Sequence, residues 1–232
     1  MNTEFKRGIR ETLPITIGII PFALILGAQA AQKGMTAWET TLMMGINFAG
    51  GSEFAAVGAW TSPIPILLIW SLTLMINSRH ILMGAAFTPY IRHLPKRQLL
   101  PTLFLMTDET WAMSIAEIKK REQAGLPPFN LPYYWGISAN LWITWVSCGF
   151  LGSQFGYLLG NDIEKFGFNM AFPAVFLVLV RGMWRGAKAA RPWLVSLIVA
   201  AAVYWLLPQG AWYVMAGAFS GLTAAYFWDT ET

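Results

Sequence analysis

The chain has few charged residues, and they leave long stretches without any charge. Charged residues make up 12% of its 232 residues, against about 25% in an average soluble domain. Four windows contain no Asp, Glu, Lys or Arg: 12–32, 54–78, 123–161 and 192–228. About 20 apolar residues are enough for a helix to cross a bilayer. The composition therefore excludes an ordinary soluble domain and predicts an all-α polytopic integral membrane protein within a lipid bilayer.

Cysteine and histidine are also scarce, which removes several classes of function. The single cysteine, Cys148, rules out an intrachain disulfide, and its apolar surroundings indicate a small buried side chain. The second histidine, His93, lies in a basic loop away from His80, and no Cys/His spacing motif is present. The sequence therefore predicts no metal site and no cofactor. The net charge of +4 does not predict nucleic-acid binding, since the basic residues lie between apolar segments, as the positive-inside rule expects.

The apolar sequence divides into eight segments that set the expected architecture. They are residues 12–32, 37–60, 63–91, 98–118, 132–160, 167–187, 192–207 and 211–228. If all eight cross from a cytoplasmic N-terminus, the basic loop 92–97 lies outside, against the positive-inside rule. If segments 37–60 and 98–118 are broken or re-entrant, every basic loop lies inside. We therefore predict a single membrane domain, 1–232, with six full crossings and two irregular segments, in a bacterial inner membrane.

A weak internal repeat relates the two halves of the chain, about 12–118 and 132–228. At an offset of 122 residues seven identical residues align, among them Asn47 with Asn169. Interrupted hydrophobic segments at corresponding places in two halves are typical of transporters with a binding site at mid-membrane. The repeat predicts that Asn47 and Asn169 lie near a pseudosymmetry axis. The alternative is coincidence, because glycine- and alanine-rich membrane sequences align by chance.

Three short polar clusters interrupt the apolar segments. They are residues 47–53, 77–80 and 107–110, with the sequences Asn-Phe-Ala-Gly-Gly-Ser-Glu, Asn-Ser-Arg-His and Thr-Asp-Glu-Thr. A charged side chain at bilayer depth costs at least ~2.5–3.5 kcal/mol on insertion scales, so it is rarely there without a role. We therefore expect the functional site to lie in these clusters.

The first cluster combines a pair of glycines with a carboxyl. Gly50 and Gly51 favour an unwound helix, because glycine adopts positive φ without steric cost. The freed carbonyls, with Ser52 and Glu53, are then predicted to bind the ammonium of an amino acid, and Asn47 lies beside them. A half-helix N-terminus would attract the carboxylate. The alternative is close helix packing through small residues.

Glu53 has two alternative roles in this hypothesis. It is a candidate proton carrier, because a carboxyl held in low dielectric can change its protonation state near neutral pH. It is also a candidate partner for Arg79 in a buried ion pair. Both roles can occur in one transport cycle, and the sequence does not separate them.

The second cluster supplies a fixed cation and a titratable ring. Arg79 is always charged, so it needs an anionic partner if it is buried. The candidates are Glu53, Asp108, Glu109 and a substrate carboxylate. On a helix, Asn77 and His80 share a face, and His80 titrates near physiological pH. His80 is therefore a candidate proton carrier, and a hydrogen-bonded core histidine is the alternative.

The third cluster contains two adjacent acids. On a helix Asp108 and Glu109 point about 100° apart, so at most one of them faces a given partner. Thr107 or Thr110 can bond to backbone groups that a helix break sets free. Asp108 and Glu109 are thus candidates for proton coupling or for an ion pair with Arg79. The alternative is a shallow surface segment with solvated acids.

The three clusters together resemble the AzlC family of branched-chain amino-acid export proteins. In that family an Ala-Gly-x-Ser-Gln-Phe element is followed by an Arg-His-x-Leu-Tyr-Gly element and a Thr-Asp-Glu element. This chain has Ala-Gly-Gly-Ser-Glu-Phe at 49–54, Arg-His-Ile-Leu-Met-Gly at 79–84 and Thr-Asp-Glu at 107–109. It departs from the pattern at Glu53, where Gln is usual, and at Met83, where Tyr is common. The first departure leaves substrate choice and coupling open.

The resemblance implies export of hydrophobic L-amino acids from the cytoplasm, with a small AzlD-type membrane subunit as partner. With the polar clusters, it predicts a secondary transporter for branched-chain or other small hydrophobic L-amino acids, driven by the proton gradient and without catalytic residues. A channel or a scaffold subunit is the alternative. An intramembrane hydrolase is disfavoured, because Ser52, Ser71 and Ser78 do not lie in a Gly-x-Ser-x-Gly motif.

Overall fold

The computed structural model describes residues 2–159, 186–188, 190–207 and 212–229. Every regular element in those residues is a helix, which confirms the all-α prediction for that part of the chain. The helices are α1 (Asn2–Gln32), α2 (Ala37–Asn47), α3 (Gly50–Gly58), α4 (Ile66–Asn77), α5 (Arg79–Ile91), α6 (Lys96–Phe104), α7 (Asp108–Gln123), α8 (Leu131–Leu159), α9 (Arg191–Leu206) and α10 (Trp212–Asp229). Asn169 lies outside the described residues, and so does nearly all of segment 167–187, so the repeat stays a prediction.

The chain divides into two compact units, residues 1–171 and 172–232. The first contains α1 to α8 and the second contains α9 and α10. Two helical stretches of the described residues have the length and apolar composition to cross a membrane, Thr3–Gln32 and Ile66–Ile91, with 30 and 26 residues. Because about 20 residues suffice, both exceed the thickness of a bilayer core.

The second unit is a helical hairpin in its described residues. The ring of Tyr204 near the end of α9 packs edge-on against Tyr213 at the start of α10, with centroids 5.4 Å apart. One turn further along α10, Gly217 lies against Ala200, which is one turn further back on α9. The contacts advance along α10 as they recede along α9, so the two helices are antiparallel. They correspond to the predicted apolar segments at 192–207 and 211–228.

Helices α1 and α8 form the centre of the first unit and run parallel to each other. Near their N-termini, a Cβ added to Gly136 would run into the carbonyl oxygen of Phe5. Towards their C-termini, a Cβ added to Gly152 would run into the carbonyl oxygen of Leu24. Glycine thus allows the two backbones to touch, as small residues do between membrane helices.

Helix α2 packs antiparallel to the C-terminal half of α8. The ring of Trp38, at the start of α2, contacts that of Phe150 with centroids 6.0 Å apart. The Trp142 Nε1–H, further back on α8, donates to the carbonyl oxygen of Gly45 at 3.0 Å. Thr36 begins the helix with a capping box, a common start signal that fixes the entry of the chain. Helix α2 therefore runs from the C-terminal end of α8 towards its middle.

Helix α3 turns back from that point and lies beside α4. A Cβ added to Gly51 would lie 3.6 Å from Ile76 Cγ2, so the start of α3 meets the end of α4. Only residues 59–65 separate α3 from α4, and this short connection makes the two helices antiparallel. Helices α2 and α3 thus form a hairpin whose tip, Phe48–Ala49, lies at the end of α4.

Helices α6 and α7 form a second hairpin, which begins and ends near the N-terminal end of α8. The Tyr134 hydroxyl, in the first turn of α8, donates to the carbonyl oxygen of Thr102 on α6 at 2.7 Å. Ile118 on α7 packs into the same core cluster as Tyr134, together with Phe87 and Ile91 of α5. Met106, in the tip of this hairpin (residues 105–107), belongs to the same cluster, so the tip lies beside the first turns of α8.

Candidate functional site

Each of the three polar clusters coincides with a break between two helices. Helix α2 ends at Asn47 and α3 begins at Gly50, and α7 begins at Asp108 after the short α6. Helices α4 and α5 are separated only by Ser78, whose backbone stays helical, so the second break is a one-residue interruption of the long stretch Ile66–Ile91. A break leaves backbone groups without helical hydrogen bonds. In a membrane protein such backbone is tolerated only inside protein or beside a wet cavity. The polar clusters therefore mark the irregular backbone of the first unit.

The first break lies at residues 48–49, just before the glycine pair where the sequence predicts it. Phe48 adopts the left-handed conformation, with φ of 43°, and is one of the residues between the two helices. Gly50 and Gly51 are the first residues of α3 and are helical, so the prediction that this pair unwinds was wrong. Gly50 instead allows the backbone of α3 to lie close to the ring of Trp145, because a Cβ there would lie 3.0 Å from Trp145 Cη2. The constraint comes from a side chain on α8, which local sequence does not reveal.

Glu53 is fully buried and its two carboxylate oxygens have separate donors. Its Oε1 accepts the backbone N–H of Ala49 at 3.0 Å, which holds the start of α3. Its Oε2 accepts the indole Nε1–H of Trp145 at 2.8 Å. Within the described residues Glu53 forms no ion pair, so the alternative of a direct pair with Arg79 is not what the structure contains. The carboxyl is held in place by neutral donors alone.

Two asparagines and a serine connect the first break to the second. The Asn77 amide donates to Asn47 Oδ1 at 3.1 Å, and the Asn47 amide donates to Ser52 Oγ at 2.9 Å. The Ser52 hydroxyl in turn donates to the carbonyl oxygen of Ala49 at 2.9 Å. This row leaves Asn77 Oδ1 buried without a partner among the described residues. An unused acceptor at the break is available to a donor from a ligand.

An ion pair connects the second break to the third. Arg79 Nη1 lies 2.7 Å from Asp108 Oδ2, and the two side chains are 41% and 46% exposed. The sequence allows four anionic partners for Arg79, and Asp108 is the one that contacts it in the structure. Glu109 forms no ion pair within the described part of the chain. Arg79 Nε is buried and unpartnered there, so the guanidinium keeps a free donor.

The third break is closed by its own threonines. The Thr107 hydroxyl accepts the N–H of Thr110 at 3.3 Å and Thr110 Oγ1 accepts the N–H of Thr107 at 2.7 Å, a reciprocal cap at the start of α7. Thr110 Oγ1 also lies 3.3 Å from the carbonyl oxygen of Leu105, to which it donates. These contacts leave Asp108 in the first turn of α7, facing the break at Arg79.

His80 makes a local backbone contact. Its Nδ1 lies 3.1 Å from the carbonyl oxygen of Asn77, within the break itself. The hydroxyls of Ser52, Ser71 and Ser78 donate to backbone carbonyls one turn back. None of these three serines is hydrogen-bonded to His80 in the described structure, so no serine–histidine pair forms there. Within the described residues no three His, Cys, Asp or Glu side chains are grouped so that they could hold a metal ion.

The arrangement brings two hairpins to one place from opposite ends of α8. The α2–α3 hairpin reaches the break between α4 and α5 through Asn47 and Asn77, and the α6–α7 hairpin reaches it through Asp108 and Arg79. Sequence reasoning missed Trp145. Its signal was available, because a tryptophan N–H in an uncharged run needs an acceptor when buried.

Long apolar helices with polar breaks between them define a helical membrane protein. A family model described as AzlC protein matches residues 14–159, more than half of the chain. The chain therefore belongs to the AzlC family, which confirms the resemblance inferred from the three clusters.

Three relatives illustrate the family. The chain is 28% identical to the inner membrane protein YgaZ of Escherichia coli over 76% of this chain and 71% of that protein. It is 27% identical to a membrane protein of Haemophilus influenzae, over 88% of this chain and 84% of the relative. It is 25% identical to the branched-chain amino acid transport protein AzlC of Bacillus subtilis, over 79% and 69%. No solved structure matches this chain.

Proposed function

We propose that this protein is a secondary transporter that exports branched-chain or other small hydrophobic L-amino acids from the cytoplasm. The observation that carries the proposal is the meeting of three helix breaks, joined by Asn47 with Asn77 and by Arg79 with Asp108. Discontinuous helices of this kind form the substrate sites of many secondary transporters. Membership of the AzlC family and the similarity to the Bacillus subtilis transport protein support the substrate class.

The free polar atoms at the second break suit the two ends of an amino acid. Asn77 Oδ1 is an acceptor and Arg79 Nε a donor, and both are buried without partners among the described residues. A substrate ammonium would take the first and a substrate carboxylate the second. Leaving such groups unpaired costs free energy, so a ligand that pairs both is favoured.

Glu53 is the residue that we propose to carry the coupling proton. It is 0% exposed. The backbone of Ala49 connects it to the row that ends at Asn77, because the Ala49 N–H donates to Glu53 and the Ala49 carbonyl oxygen accepts from Ser52. Burying a charge without a cation is costly. Proton exchange at Glu53 would therefore accompany the arrival or departure of the positively charged substrate group. His80 and Asp108 remain second candidates, because both line the same breaks.

We also propose that the two hairpins are re-entrant, which gives six crossings and a cytoplasmic N-terminus in a bacterial inner membrane. Helices α2, α3 and α6 have 11, 9 and 9 residues. At 1.5 Å per residue each is about 14–17 Å long, roughly half of the ~30 Å hydrocarbon core. The two hairpins approach the breaks from opposite ends of α8, which supports the same topology.

Cysteine labelling at single positions tests the topology. In a chain with Cys148→Ser, Ser62→Cys should react with an impermeant thiol reagent from outside the cell, and Pro95→Cys only from inside. Reaction of Ser62→Cys only from inside and of Pro95→Cys from outside would contradict the re-entrant α2–α3 hairpin, because that is the pattern expected if segment 37–60 crosses the membrane. It would leave the transport proposal standing.

The transport proposal is tested in proteoliposomes. Efflux of labelled leucine or valine is measured under imposed pH and electrical gradients. The protein is reconstituted alone and with a small AzlD-type membrane subunit, the partner that family membership suggests. We expect saturable efflux that unlabelled leucine inhibits. Folded protein that transports neither amino acid under any gradient, with or without the partner, would contradict the proposal. Constant conduction without saturation would indicate a channel.

A further inference from the structure

The ends of α1 and α7 are joined by charged side chains. Arg7 on α1 donates from Nη1 to Glu117 Oε2 on α7 at 3.2 Å, and its Nη2 contacts Glu117 Oε1. The same guanidinium bonds to Glu4 at 2.8 Å and lies 3.5 Å from Glu11. The Glu117 side chain is only 7% exposed. The Arg7 side chain is 34% exposed, so the pair joins a buried carboxylate to a guanidinium that partly reaches water, and removing Arg7 would leave the buried Glu117 charge without this partner.

Helix α8 is part of the same network. The Asn130 amide donates to Glu4, and the Tyr133 hydroxyl donates to Glu11 Oε2 at 2.6 Å. The Arg7 guanidinium also lies over the Tyr133 ring, 4.4 Å from its centre. The end of the α6–α7 hairpin is thus fastened by charge to the two central helices of the first unit.

A row of buried polar side chains leads from this network to the third break. Thr110, Ser114 and Glu117 follow one another at spacings of four and three, on one face of α7, and are 0%, 3% and 6% exposed. Ser114 Oγ has no partner among the described residues, and neither has Ser138 Oγ on α8. Buried polar groups normally bond to protein or to ordered water. Unpartnered hydroxyls along this row therefore indicate a place for water or a polar ligand.

An open cavity of about 370 Å³ lies beside this network of charged side chains. Glu4, Arg7, Glu117 and Lys120 line it. The Arg7–Glu117 pair thus belongs both to the wall of the cavity and to the row on α7. At the far end of the row, two residues before Thr110, Asp108 holds Arg79.

We propose that the Arg7–Glu117 ion pair is a gate, closed in this structure, between the cavity and the site at the helix breaks. The inference rests on the proposed transport function. Separating the pair removes the charged contact of α7 with α1 and leaves the apolar contacts of Ile118 in the core cluster, along which the α6–α7 hairpin can shift relative to α1 and α8. The row from Glu117 to Thr110 becomes accessible to water and to a zwitterion, whose charges can replace those of the separated pair.

Thiol accessibility tests the gate without substrate or gradient. Ser114→Cys is introduced into a chain with Cys148→Ser, and an impermeant maleimide is added to membrane vesicles on the side of the α7–α8 connection. Labelling should be slow in this parent. Both Glu117→Gln and Arg7→Gln should raise its rate about tenfold or more, where a factor of ten corresponds to ~1.4 kcal/mol in the closing equilibrium. Glu122→Gln is the matched control, an exposed acid on the same helix without an ion pair in the described residues, and should leave the rate unchanged.

A second reporter separates gating from unfolding. Ala30, at the far end of α1, is 0% exposed. In detergent-solubilised protein, where the maleimide reaches both ends of α1, Ala30→Cys should stay unlabelled in every variant. An unchanged rate at Ser114→Cys in both gate variants would overturn the proposal, and so would a parallel rise at Ala30→Cys. The labelling assay does not measure transport. An unchanged labelling rate therefore contradicts the gate alone, whereas absent leucine efflux in proteoliposomes contradicts the proposed function.

Discussion

Replacing Glu53 by glutamine changes a single atom at the most buried acid of the candidate site. Both carboxylate oxygens are acceptors, one for the Ala49 N–H at 3.0 Å and one for the Trp145 Nε1–H at 2.8 Å. An amide offers one acceptor oxygen, so in Glu53→Gln its NH₂ must face one of two N–H donors. One of the two hydrogen bonds is lost and a buried donor is left unpaired.

The expected cost follows from that geometry. A buried polar group left unsatisfied costs about 1–3 kcal/mol, and the 0% exposure of Glu53 leaves no water to replace the bond. Glu53→Gln should therefore lower the free energy of unfolding by about that amount. In the double variant with Trp145→Phe, the amide oxygen can accept from Ala49 and the NH₂ no longer faces a donor. The two substitutions should cost less together than the sum of their separate costs, by about 0.5–3 kcal/mol.

The functional assay for Glu53→Gln is leucine efflux in proteoliposomes. A glutamine cannot release a proton, so efflux should lose its dependence on an imposed pH gradient. Exchange of labelled for unlabelled leucine across the membrane should persist. A folded Glu53→Gln protein with gradient-driven efflux equal to the unaltered chain would refute Glu53 as the proton carrier. Additive stability costs in the double variant would refute the shared hydrogen bond with Trp145.

Two glycine pairs give further predictions that thermal unfolding of the purified protein checks. Gly50→Ala places a Cβ 3.0 Å from the Trp145 ring and should cost about 1–3 kcal/mol, whereas Gly51→Ala, 3.6 Å from its nearest neighbour, should be neutral or stabilising. Equal effects at both positions would contradict the packing of Trp145. Gly27→Ala drives a Cβ into the backbone of α8 and should be strongly destabilising, whereas Gly18→Ala meets nothing within 4 Å on the same helix. Similar melting of these two variants would contradict the close contact of α1 and α8.

The positions of the polar breaks could be predicted from the sequence because the cost of polar groups in apolar segments is local. The clusters at Asn47, Asn77 and Asp108 each coincide with a helix end in the structure. The assignment of the first break to the glycine pair failed for a non-local reason. Gly50 is needed for the ring of Trp145, which lies far along the chain on α8.

The partners of the charged groups could not be predicted for a related reason. Chemical type limited Arg79 to four anions, but only the course of the α6–α7 hairpin brings Asp108 to it. Arg7 and Glu117 are 110 residues apart in the sequence, so no local sequence pattern indicates that they pair. The basic residues near it were interpreted only as topology markers, although one of them has a specific acidic partner.

Binding of labelled leucine to the purified protein, alone and with the small membrane subunit, tests the central claim most directly. The unaltered chain should bind leucine saturably. Asn77→Leu keeps the branched shape of the side chain and removes both the free Oδ1 and the amide that donates to Asn47. It should weaken binding about tenfold or more, a change of ~1.4 kcal/mol or above. Ser71→Ala lies on the same helix, where the Ser71 hydroxyl donates to the carbonyl oxygen of Leu67 one turn back, and should bind leucine as the unaltered chain does. Equal affinity of folded Asn77→Leu and the unaltered chain would contradict a substrate site at the helix breaks.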